Sequence, residues 1–145
     1  MGDFFYKIML NYIEEKDKKS IIYYNDTKDE CETYELLITK VMRDHLFKYD
    51  YYKKRIREIF NYKTNVPIYL SKSILLIKVK AKDTTYYINY MELLSISYSE
   101  DTLLFIFKNG ITLFLDRKGN NIIRICEMAN NILDYMQGLE NNYYN

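Results

Sequence analysis

Lys48, Lys53, Lys54, Arg55, Arg57 and Lys63 crowd into one stretch, FKYDYYKKRIREIFNYK over 47–63, opposed only by Asp50 and Glu58. Lysine and arginine bind phosphate, and such contacts supply most of the sequence-independent affinity of proteins for DNA. Arginine also enters narrow A·T-rich minor grooves, where the potential is more negative. Tyr49, Tyr51 and Tyr52 interleave the charges and can hydrogen-bond phosphate oxygens. The competing reading of the stretch is a solvated helix face.

Enzymatic chemistry has less to work with. His45 is the single histidine, and it falls on or beside the apolar side of a predicted helix, where a packed structural imidazole is the ordinary role. A nucleophile–histidine–acid arrangement would have to use it, yet no serine sits in a glycine-flanked elbow and neither Cys31 nor Cys126 has a motif around it. Two distant cysteines and one histidine make no zinc pattern. The four glycines are isolated, which leaves no phosphate-cradling loop. Glu14-Glu15 and Glu100-Asp101 fall in predicted turns, where solvation explains them. We expect no catalytic residue, no metal and no cofactor.

The elements that position these residues follow from periodicity. The apolar FFYKIMLNYI and the later Ile21–Tyr24 predict strands over about 5–13 and 20–24, joined by a charged turn. Residues 25–29 form a polar break in which Asp29 and Glu32 resemble a capping box. Tyr34, Leu37, Ile38, Val41 and His45 then recur at helical spacing, predicting a helix over about 31–46. Asp50 can cap a second helix over about 51–61, with Tyr52, Ile56, Ile59 and Phe60 inward. After Pro67 come short strand patterns at 68–70, 74–80, 86–90 and 93–98. Ile122, Ile125, Cys126, Ala129, Ile132, Leu133 and Met136 make a final helical stripe, with Gly138 placed as its stop.

Between those parts lies TLLFIFKNGITLFL over 102–115. Asn109-Gly110 between apolar runs predicts a type I′ hairpin, pairing Phe107 with Thr112 and Phe105 with Phe114. Both faces of that hairpin are largely apolar, so it is expected to be central and covered on both sides. Strands in runs with short turns pair antiparallel. The class is therefore α+β: antiparallel sheet or sheets, two middle helices, and a C-terminal amphipathic helix packed on the sheet. A length of 145 residues suits one domain, with N-terminal strands and helices to about 65 and a C-terminal sheet plus helix over about 66–138.

Composition narrows the partners. Net charge is +1, so any DNA or membrane affinity must come from a local patch. Seventeen tyrosines with no tryptophan fit A+T-rich coding, favoured over a purposeful tyrosine surface because tyrosine is also a serviceable strand residue. The N-terminal MGDFFYKIML lacks a secretory signal, and no apolar run approaches the roughly 20 residues of a transmembrane helix. These features predict a cytoplasmic protein with reduced thiols and no membrane association.

The ordered features from about Thr39 to Met136 resemble the bacterial competence transcription factor family. They are Tyr49–Arg55, Pro67-Ile68, the apolar Ile74–Ile77, Tyr87-Ile88, Phe107-Lys108-Asn109-Gly110, and Asn121 with Arg124. The chain looks like a divergent or shortened member: it has no glycine in 49–55, Lys78 where the family tends to have proline, and Tyr87 where it has tryptophan. The resemblance implies a cytoplasmic transcription activator that binds A·T-rich double-stranded DNA, self-associates and answers to a regulatory protein partner. Carried onto this chain, it places Lys53, Lys54, Arg55 and Arg57 on phosphate or in the minor groove, with Arg117 and Lys118 as secondary contacts at the hairpin exit. The alternative is a non-enzymatic protein- or ligand-interaction module, for which a sheet followed by one C-terminal helix is similar to pleckstrin-homology-like domains.

Overall fold

In the computed structural model, which describes residues 10–24, 27–31, 49–119 and 121–144, the first hairpin joins β1 (Leu10–Lys16) to β2 (Lys19–Tyr24). The two-residue turn is Asp17-Lys18, and both residues have positive φ, 52° and 64°. Positive φ at both positions is the backbone of a type I′ turn. The strand therefore runs on to Lys16, and Glu14 and Glu15 lie within it rather than in a turn. A left-handed L-residue costs about 1–2 kcal/mol, partly offset for glycine by its larger unfolded-state entropy. Lys18→Gly is accordingly expected to raise stability by about 0.5–1 kcal/mol, read as a higher urea midpoint, while Lys18→Val should lower it.

Strand β3 (Thr27–Cys31) follows β2 and pairs with it, so Asp29 lies opposite Ile22 in a sheet and not at a helix cap. The rest of the helix predicted over about 31–46, with His45, lies outside the described residues, as do Lys48 and the start of the first predicted strand. After helix α1 (Tyr49–Phe60) come β4 (Ile68–Ser71), β5 (Ile74–Ala81) and β6 (Thr84–Asn89). These strands join the first three in one antiparallel sheet of six, in the order β3-β2-β1-β6-β5-β4. The N-terminal hairpin thus enters the same sheet as residues 68–89 through the pairing of β1 with β6.

Asn89 ends that sheet, fully buried, with its amide completely used. Its Nδ2 donates to the carbonyls of Leu10 and Ser73, each at 3.0 Å, and its Oδ1 accepts from the Leu75 and Met91 amides at 3.1 and 3.3 Å. A buried amide left without partners would be costly; here it fixes the point where the chain crosses, by a single 3-10 turn at Tyr90–Glu92, into a second sheet. That sheet is β7 (Leu93–Tyr98), β8 (Leu103–Phe107) and β9 (Thr112–Leu115), with β8 in the middle.

The β8–β9 hairpin differs from expectation by one residue. Phe105 pairs with Leu113 and Leu104 with Phe114. The Phe107 amide donates to the Ile111 carbonyl at 2.9 Å and the Gly110 amide to the Phe107 carbonyl at 3.0 Å. The loop is therefore the three residues Lys108–Gly110, with positive φ (90°) at Gly110 but not at Asn109. This is the longer hairpin loop in which glycine takes the bulge position. Because side chains alternate, a slip of one residue exchanges the two faces of the second strand. Leu103, Phe105, Phe107, Leu113 and Leu115 face the core, whereas Phe114 is 61% exposed and Thr112 is exposed. The hairpin is covered on one side, not two.

Asn109 supports this register from within the loop, where its Oδ1 accepts from the Ile111 amide at 3.3 Å. Its Nδ2 donates to Asn11 Oδ1 at 3.1 Å, and Asn11 Nδ2 donates to Asn109 Oδ1 at 3.3 Å. Asn11 is fully buried on β1, so the turn of one sheet satisfies a buried amide of the other. Asn109→Ala leaves Asn11 buried and unpaired, and is expected to cost about 1–3 kcal/mol. In an Asn11→Val background the same substitution should cost much less, a coupling that a double-mutant cycle measures.

Helix α2 (Ile122–Tyr144) closes the core by packing on β5 and β4. Ile122, Ile125, Met128, Ala129 and Ile132 are buried along it. It does not stop at Gly138. A glycine ends a helix by turning left-handed, and Gly110 alone among the described glycines has positive φ. Within a helix, glycine costs only about 1 kcal/mol.

Candidate nucleic-acid interface

The basic stretch forms a helix because its apolar residues fall on one side. Tyr52 and Ile56 are buried, one turn apart. The Tyr52 hydroxyl donates to the Pro67 carbonyl at 2.6 Å and accepts from the Tyr69 amide at 3.1 Å, pinning α1 to the start of β4. At the other end, the Asn61 amide donates to the Arg57 carbonyl at 2.8 Å with Asn61 at φ 61°, a left-handed cap. Phe60 stacks on Tyr62 at 5.2 Å and meets Tyr135 of α2 edge-on at 5.7 Å, and Asn131 Nδ2 donates to the Tyr62 hydroxyl at 2.9 Å. The helix therefore has no freedom to roll without breaking buried contacts.

That placement decides which cations face outward. At 100° per residue, Lys53, Arg57 and Lys54 follow one another around one side of α1. Lys54 and Arg57 are exposed and Lys53 is half-buried. Arg55 lies on the opposite flank, where its Nη1 donates to Glu58 Oε2 at 3.2 Å, and that hydrogen bond pushes its pKa further up. Lys63 is exposed in the loop after the helix, and the Tyr51 ring is exposed on the Arg55 flank.

Arg117 is differently employed. Its Nε donates to the Lys118 carbonyl at 2.7 Å, its Nη1 to the Lys80 carbonyl at 3.2 Å, and its Nη2 to Asn121 Oδ1. Burial lowers its pKa from the usual arginine value. The guanidinium ties the end of β5 to the start of α2. Asn121 and Tyr135 are fourteen residues apart, about 21 Å along a helix. Arg117 therefore sits at the start of α2, well away from the contact with α1 in the middle of that helix. Lys118 is exposed and lines a separate hollow of about 620 Å³ with Tyr98, Ser99, Glu100, Asp101 and Gly119. The seven described candidate cations thus divide into a stripe of Lys53, Lys54 and Arg57 followed by Lys63, an ion-paired Arg55, and a distant Arg117-Lys118 pair.

Other chemistry-bearing residues fall into structural settings. Glu14 Oε2 accepts from the Tyr23 hydroxyl at 2.9 Å, and burial together with that bond pushes Tyr23 up to about 12. Tyr23 stacks on Tyr12 at 4.5 Å, and Tyr12 lies 6.0 Å from Phe107, so these tyrosines line the seam between the two sheets. Cys126 is a half-buried free thiol whose pKa burial raises. Among the described residues no three histidines, cysteines or carboxylates cluster as metal ligands, and no helix is long and apolar enough to cross a membrane. Set against known protein families, curated proteins and solved structures, the chain matches none.

Proposed function

We propose that the chain is a DNA-binding regulator that grips A·T-rich duplex with the cationic face of α1, as a divergent relative of the competence transcription factors acting in the cytoplasm. The observation that carries the reading is the orientation of α1. Tyr52, Ile56 and Phe60 hold its apolar side, which turns Lys54 and Arg57 to solvent, with Lys53 beside them and Lys63 beyond the cap. Such a stripe meets the phosphate backbone at fixed spacing, where each contact releases counterions. Arg55 contributes less because Glu58 already holds it, and Arg117 less because each of its three nitrogens already donates a bond within the fold. Titrating the 15N-labelled chain with an A·T-rich duplex tests the assignment. Amide shifts should concentrate at 53–57 and 63; shifts confined to 117–118 would remove α1 from the interface.

A second reading, a protein-interaction module, is favoured by the outer side of the three-stranded sheet. Leu94 is 68% exposed there and Phe114 stands beside Ser95, Ser97 and Thr112, with no charged residue on that face of the strands.

A further inference from the structure

Strand β7 is a terminal strand of its sheet, and among the described residues nothing pairs with its outer side. The Ser99 amide donates to the Thr102 carbonyl at 3.0 Å, which makes that pair hydrogen-bonded. Alternation along the ladder then turns Ser97 and Ser95 toward β8, and leaves the N–H and C=O groups of Ile96 and Tyr98 pointing outward. The strand, LLSISY, has no charge and no proline to blunt that edge.

Beside this open edge runs an apolar groove of about 270 Å³, with Ile96 and Tyr98 on one side and Ile122, Ile123, Cys126 and Glu127 of α2 on the other. Tyr98 is 52% exposed and Ile123 53%, both large apolar surfaces turned to the same hollow. The groove is held in shape from below. A Cβ on Gly119 would come within 2.7 Å of the Tyr98 Cβ, so the loop into α2 lies tight against the end of β7. We propose that this groove receives an extended, basic segment of a partner protein, which adds to β7 as a fourth strand and presses an apolar side chain between Tyr98 and Ile123.

The occupant follows from the chemistry of the walls. Unpaired backbone donors and acceptors alternating with an apolar slot fit a strand, whose side chains alternate between slot and solvent. The groove and the neighbouring hollow share Tyr98, and their charged residues are Glu100, Asp101 and Glu127 against Lys118. That acidic excess selects a segment bearing lysine or arginine. A second copy of the chain would bring the same acidic rim against itself, which like-charge repulsion disfavours. The proposal gives the interaction-module reading a specific site and is independent of DNA binding.

Selection of displayed random decapeptides on the immobilised full chain provides the probe. Enriched peptides should carry apolar residues at alternate positions and at least one lysine or arginine. Synthetic copies should shift the amides of Ile96 and Tyr98 and slow their hydrogen exchange. N-methylation of alternate peptide amides should weaken binding at least about tenfold, because it removes the strand-forming donors. Ile123→Lys should do the same with an unchanged unfolding midpoint, since the side chain is largely in solvent. The proposal is overturned by no enrichment above an unrelated protein, by acidic or uncharged winners, or by N-methylated peptides that bind equally well. Dimerisation that protects Ile96 and Tyr98 without peptide overturns it in favour of a second copy. Shifts confined to Leu94 and Phe114 overturn the groove while leaving the interaction-module reading intact.

Discussion

Changing Lys54 and Arg57 together to glutamate is expected to weaken binding to A·T-rich duplex by about a hundredfold at low salt, and to flatten the salt dependence by about two units of slope. Both side chains are exposed on the outward side of α1, so the substitution leaves Tyr52, Ile56 and their contacts in place. Far-ultraviolet circular dichroism and the unfolding midpoint should stay close to wild type. Two controls sharpen the expectation. Arg55→Gln should change affinity little, because Glu58 already occupies that guanidinium. Arg117→Ala should lower stability instead of affinity, because the Lys80 carbonyl and Asn121 lose their partner. Equal losses for all of these variants would mean diffuse charge attraction with no defined face.

The second large effect concerns the hairpin register. Leu113 is 8% exposed and faces Phe105 across the ladder, whereas its neighbour Phe114 stands in solvent. Leu113→Ala is expected to cost about 2–5 kcal/mol, the usual range for emptying a buried leucine site. Phe114→Ser should stay within about 0.5 kcal/mol, although it removes the larger side chain. The register expected from a two-residue Asn-Gly turn reverses that order. Urea unfolding of the two variants therefore reads the register directly.

Why that register was illegible is instructive. Asn-Gly marks a hairpin correctly, but it fits a two-residue and a three-residue loop alike, and one of the groups that Asn109 bonds, Asn11, is ninety-eight residues away. The type I′ geometry itself occurs at Asp17-Lys18, where only the aspartate hints at a turn and no glycine announces it. Long periodic patterns transferred well. The stripe on α2 stands where spacing put it, because the same burial repeats along the helix, and the strand at 93–98 is also where it was expected. The end of α2 did not, since glycine permits a stop without requiring one. For the candidate interface, charge was visible but orientation was not. The Arg55–Glu58 pair at i,i+3 was readable from spacing. The employment of Arg117 by Lys80 and Asn121 was not, because no local pattern brings the end of β5 to the start of α2.

The most direct measurement is fluorescence anisotropy of labelled A·T-rich and G·C-rich duplexes titrated with the full chain at several salt concentrations. If the face of α1 meets DNA through Lys53, Lys54, Arg57 and Lys63, log affinity for the A·T-rich duplex falls with log salt at a slope of roughly −3 to −4, and the G·C-rich duplex binds more weakly throughout. No anisotropy change on either duplex at the lowest salt would contradict DNA binding outright.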